Sequence, residues 1–312
     1  MDNGVGFGSE AHRRQARTLV WPVLPLAAAG WWVVGALPWI VDGLGARSPR
    51  TWPADVATGS VTDGYLTLLP FTTPRLGLLL SLTLVGGAVA ASSTLWVRPR
   101  EGRGLASVAS AVVGALTAAA YTITQSAGAT RQLGTDFDRD DRVLLGVLAV
   151  AVAGTILGLT LGVVVVKAGP VLRALAAAPL AVALSGWVGA LLVALRGAER
   201  SRELLPWTPL VGAVVVGLTL AGLGLRSVGR AVAWSGALAV VAVCTAGQTA
   251  FGYLVSLLRP RSGLPHGLRE HVEAGRDVFL LALRPEHQSW PLYAVAVLVG
   301  GFGTAVLWRA GR

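Results

Sequence analysis

The chain has 312 residues; 54% are hydrophobic, only 13% are Asp, Glu, Lys or Arg, and the formal net charge is +10. That charged fraction is about half the roughly 25% of a soluble globular domain. The apolar residues also fall in long runs instead of scattered core stripes, so a water-soluble enzyme is excluded. Disorder is excluded by the apolar content, and a disulfide scaffold by Cys244 being the one cysteine. Nucleic acid is excluded as a partner despite the basic charge. The arginines are scattered among short segments between apolar runs and form no face that could neutralise a row of phosphates.

A membrane span needs about 20 mostly apolar residues to cross roughly 30 Å of hydrocarbon. Eight segments qualify in chain order: 18–41, 76–97, 104–128, 143–166, 174–195, 205–225, 231–258 and 290–308. The expected fold is all-α, a polytopic integral membrane helix bundle with about eight transmembrane helices in a single domain, 1–312. Continuous apolar runs suit helices and not the alternating strands of a barrel. The first run follows Arg13, Arg14 and Arg17, exceeds a signal-peptide core, and is read as a retained span. Pro22, Pro25 and Pro38 in that span, and Pro179 in the fifth, should kink or loosen their helices. Trp21, Trp39, Trp96, Trp207, Trp290 and Trp308 lie near span ends, where indoles anchor at headgroup level.

Charge sets the expected orientation. With a cytoplasmic N-terminus, the inner segments carry 12 basic residues in 39 positions and the outer segments 14 in 88. Basic density is then about twofold higher inside, as the positive-inside rule requires. Eight spans place both termini in the cytoplasm and the long connections 42–75 and 259–289 outside the plasma membrane.

Several residues are candidates for chemistry. Asp42 lies immediately beyond the first span, at the membrane surface. This placement resembles that of the catalytic carboxylate in polytopic lipid-sugar glycosyltransferases, where a base meets a polyprenyl-linked donor. The resemblance would make Asp42 the base, although the paired acidic motif is absent and the chain is short for that class. In the third span, Tyr121, Thr122, Thr124 and Gln125 are polar near the outer end. Asp136, Asp138 and Asp140 have the first spacings of an EF-hand loop, but position 6 is Asp141 instead of glycine and position 12 is Val147. A solvated acidic turn is the expectation there. In the fourth span, Gly154, Gly158 and Gly162 repeat every four residues and form a face that lets another helix approach closely. The seventh span carries Thr245, Gln248, Thr249 and Tyr253. Gln125, Thr245, Gln248 and Tyr253 are the candidates for lining a cavity, with interhelical hydrogen bonding as the simpler role.

The connection 259–289 carries a helical pattern over about 266–283, with Leu268, Val272, Phe279 and Leu283 on an apolar face and Glu270, Glu273 and Asp277 opposite. It suits a helix lying in the interface or across the bundle mouth. His266, His271 and His287 sit in the same connection beside carboxylates, but match no metal-ligand spacing, so ordinary exposed histidines are expected and no cofactor is implied.

No Asp, Glu, Lys, Arg or His falls at mid-depth in any span, which argues against ion-coupled transport by a carboxylate relay. There is no P-loop and no H-E-x-x-H. The sequence therefore favours a non-enzymatic subunit or scaffold of a cell-envelope complex, with a membrane-protein partner or a second copy of itself in the bilayer. A transporter or permease subunit energised by a separate chain comes next, and a glycosyltransferase-like membrane enzyme third.

Overall fold

The computed structural model describes residues 22–43, 67–95, 104–133, 138, 140–225, 227–257 and 268–310. Trp21, Trp96, Asp136 and His266 lie outside the described residues. Those described form helices and turns, with no strand among them. In chain order the helices are α1 (Val23–Ala29), α2 (Leu37–Val41), α3 (Leu76–Ser92), α4 (Gly104–Leu133), α5 (Asp141–Lys167) and α6 (Pro170–Arg196). They continue with α7 (Pro209–Leu223), α8 (Val228–Leu257), α9 (Leu268–Ala282) and α10 (Trp290–Ala310). Seven helices, α3 to α8 and α10, are long and apolar enough to cross a membrane when α3 and α7 are taken with their flanking 3₁₀ turns. The protein is an all-α polytopic membrane bundle.

The first expected span differs from an unbroken helix. α1 gives way to a π-turn over Gly30–Val34, and α2 restarts at Leu37. Pro38 explains the restart, because it has no N–H to donate to the carbonyl four residues back and its ring crowds that carbonyl. Gly35 O, also freed at the break, accepts the Trp187 indole N–H from α6 at 2.8 Å. A backbone carbonyl in lipid needs such a partner. The broken segment also crosses α3 very closely, since a Cβ built on Gly35 would stand 2.5 Å from Gly86 Cα. At Pro179, by contrast, α6 runs through without interruption.

The glycine face of α5 lies against α3. A Cβ on Gly158 would fall on the Leu84 carbonyl and 2.8 Å from Leu84 Cα, and one on Gly162 would stand 2.8 Å from Ala88 Cα. The contact is reciprocal, since a Cβ on Gly87 would be 2.5 Å from Leu159 N. Small residues thus let two backbones touch, and dispersion between them gains what lipid contact cannot supply. α7 and α10 meet in the same manner, with Gly217 against Ala296 and Gly300 against Gly217.

Ahead of α3, residues 67–72 run as a largely buried strap. Thr67, Leu69, Phe71 and Thr72 are each no more than 5% exposed, yet the segment is neither helix nor strand. Its backbone is satisfied by side chains. Leu68 N–H donates to Gln125 Oε1 at 3.0 Å and Leu69 N–H to Ser126 Oγ at 2.9 Å. Thr67 O accepts the Trp39 indole N–H at 2.8 Å, and Phe71 O accepts the Thr130 hydroxyl at 2.9 Å. At its end, Thr73 donates both its N–H and its hydroxyl to Asp138 Oδ1. Irregular backbone at membrane depth is tolerated only where protein covers it, which is the case here. Asp138 is thereby buried, at 7% exposure, and not part of a solvated turn. Asp140 is also spoken for: it caps α5, accepting from Arg142 N–H at 2.9 Å and Val143 N–H at 3.3 Å.

Candidate functional site

The face of α8 formed by Leu238, Val241, Thr245, Gln248, Gly252 and Val255 repeats at alternating steps of three and four. Such a stripe ordinarily seats against a neighbouring helix. Here the opposing residues are too small to fill the interval: α6 presents Ala181, Ser185, Gly186 and Gly189, and α7 presents Gly212 and Ala213. The result is a cavity of about 900 Å³ enclosed by α6, α7, α8, α10 and the start of α3. That is the upper part of the range for small-molecule sites, roughly 300–1,000 Å³.

The shape follows from how α8 is held. Near its start, Trp234 packs on Gly300 of α10, and its indole N–H donates to Gly224 O at 3.2 Å. Beyond that point α8 touches mainly α6 and α9 and makes almost no direct contact with α10. The cavity lies between the two helices and reaches Asp42, Arg75, Ser256 and Ser289. The turn over 283–289 joins α9 to α10.

The walls are mostly apolar, and most polar groups on them are already bonded. The Ser185 hydroxyl donates to Ala181 O, Thr208 to Leu205 O and Thr245 to Val241 O. The Tyr293 hydroxyl donates to Gln288 Oε1. Gln248 is different. It is exposed, lines the cavity about 14 Å below the end of α8 at 1.5 Å per residue, and its amide has no hydrogen-bond partner among the described residues. An amide carries two donors and an acceptor, all available to an occupant.

Among the described residues, the charged ones that line the cavity are Arg75 and Asp42 at its mouth, and they pair at 3.3 Å with side chains 29% and 32% exposed. The Arg75 guanidinium also lies 5.2 Å from the centre of the Trp39 ring. That cation–π contact positions the charge, and Trp39 in turn is held by the strap through Thr67 O.

The sequence candidates separate accordingly. Thr245 and Gln248 line the cavity together with Asp42. Gln125 does not; it holds the strap. Tyr253 is outside the lining, on an exposed face of α8. Gly154, Gly158 and Gly162 are occupied by α3. In the last connection, α9 packs on α8 through Gly275 against Leu254, and Arg269 pairs with Glu273 at 2.8 Å. No described residue of α9 lines the cavity, whereas Ser289 at the end of the same connection does. His287 is exposed, and no three metal-type side chains gather around it or His271 among the described residues.

Sequence reasoning missed Arg75, Ser185 and the small-residue face of α6. Their signal was present as Ser185-Gly186 and Gly189-Ala190, four residues apart along one helix. Comparison of the chain with protein-family models, curated proteins and solved structures finds no match in any of the three.

Proposed function

We propose that this multi-pass membrane protein binds an amphiphilic small molecule, a lipid or lipid-linked compound, and carries it as a transporter or permease component. The observation that carries this reading is the cavity of about 900 Å³, with apolar walls, an unpartnered Gln248 amide inside and an ion pair at its mouth. An apolar chain would occupy the walls, and a polar head would meet Arg75 and Asp42. α8 and α10 both line the cavity yet make almost no direct contact, which would allow lateral entry from the bilayer. By the positive-inside distribution, we place the protein in the plasma membrane with both termini cytoplasmic and the mouth on the outer side.

A scaffold role loses one of its supports, because α3 of the same chain covers the glycine face that a partner helix could have used. A second reading, a membrane enzyme with Asp42 as base, draws on the position of Asp42 at the mouth. Asp42→Asn would then abolish turnover of a lipid-linked substrate while leaving its binding intact.

Filling the cavity tests the main reading. A Cβ at Gly252 would meet nothing within 4 Å, so Gly252→Phe can project its ring into the void without displacing backbone. The variant is expected to purify and melt like the parent but to lose co-purified lipid, as seen by native mass spectrometry. Equal lipid retention by parent and variant would sink the proposal.

A further inference from the structure

The mouth also specifies a class of head group, an inference that rests on the reading of the cavity as an amphiphile site. The two charged residues among the described lining have opposite sign and lie 3.3 Å apart, so this pair carries no net charge. A purely anionic head would gain Arg75 but sit beside the Asp42 carboxylate. A purely cationic head would meet the opposite conflict. From this geometry we infer that the site selects a zwitterionic phospholipid whose phosphate pairs with Arg75 and whose primary ammonium pairs with Asp42.

The exchange replaces one ion pair with two. Binding opens one half-exposed Asp42–Arg75 contact, a weak interaction at such exposure, and forms two charge-assisted pairs with the lipid. Arg75 keeps its place during the exchange because its guanidinium rests over Trp39, whose indole N–H is anchored on Thr67 O. A planar guanidinium can then offer two parallel N–H donors to phosphate oxygens. Asp42 supplies acceptors only, so it distinguishes a primary ammonium, which donates hydrogen bonds, from a quaternary one, which donates none. Leu78, Val193 and Val255 line the same cavity as the ion pair, so an apolar chain and a head group can be held together.

The test is native mass spectrometry of the full-length protein with phosphatidylethanolamine, phosphatidylcholine and phosphatidylglycerol of identical acyl chains. Phosphatidylethanolamine is expected to bind most tightly, on the order of tenfold over each of the others, as one charge-assisted pair would give. Asp42→Asn should erase the advantage over phosphatidylcholine, and Arg75→Gln should weaken both zwitterionic lipids. Equal binding of all three lipids, or preference for phosphatidylglycerol, would overturn the head-group inference while leaving the cavity as an amphiphile site. Binding of none would overturn both. The lipid panel on the unaltered protein decides the matter even where a variant fails to fold.

Discussion

Gly158→Leu is expected to prevent the protein from accumulating as a folded, monodisperse species in detergent. The Cβ of any residue there lands on the Leu84 carbonyl, and the clash is with backbone, which cannot rotate away. Overpacking typically costs about 1–3 kcal/mol where side chains can adjust; here α3 and α5 would have to separate, so roughly 3 kcal/mol or more is expected. The loss would spread, because α3 also carries Gly86 against the broken first span and Gly87 against α5. Gly146→Ala is the matched control on the same helix. A Cβ at Gly146 meets nothing within 4 Å, and alanine is favoured over glycine in a helix by about 1 kcal/mol. Thermal unfolding followed by circular dichroism should show Gly146→Ala at or above the parent and Gly158→Leu far below it. Similar curves for the two would mean that α3 and α5 do not meet as described.

The second large effect is expected at the strap. The double variant Gln125→Leu/Ser126→Ala leaves Leu69 N–H without its acceptor at a buried site, where Ser126 is 0% exposed, and Leu68 N–H without its acceptor at a part-buried one. An orphaned buried donor costs about 1–3 kcal/mol and a part-buried one less, so a combined loss of roughly 1–6 kcal/mol is expected. Tyr121→Phe, one turn earlier on α4 at a side chain 67% exposed, should change stability by less than about 0.5 kcal/mol. Hydrogen exchange should locate the damage, with protection lost first over residues 67–72. The strap holds Trp39, and Trp39 holds Arg75, so the double variant should also blunt head-group preference at the cavity mouth. Unchanged exchange over the strap would show that Gln125 and Ser126 are not its acceptors.

These two sites show how differently parts of the molecule could be read in advance. The repeat Gly154, Gly158, Gly162 is visible in the sequence as a close-packing face, but nothing along the chain says that α3 is its partner. Gln125 is visible as a polar residue in an apolar span. Its use became apparent only with the strap, because Thr67-Leu68-Leu69-Pro70-Phe71 has neither helical nor strand periodicity and reads as ordinary loop. The polar residues of α8, Thr245 and Gln248 among them, read equally as cavity lining or as a packing seam, and the structure leaves these two facing a void. A void is made by what several distant segments lack, here side chains at Gly186, Gly189 and Gly212, and no local pattern records it.

By itself the sequence determined the membrane class and the all-α architecture. Both follow from solvent: lipid demands apolar runs of a set length and internal backbone hydrogen bonding, and these are local, countable properties. It also marked the first span as kinked through Pro22, Pro25 and Pro38, although only the structure shows α1 running through Pro25 and the break falling just before Pro38. Only the tertiary structure decided which helix fills the α5 face, what the polar residues of α4 hold, and that α8 and α10 leave a site between them. Those outcomes depend on contacts between segments far apart in the chain, where the energy belongs to a pair of surfaces and not to either one alone.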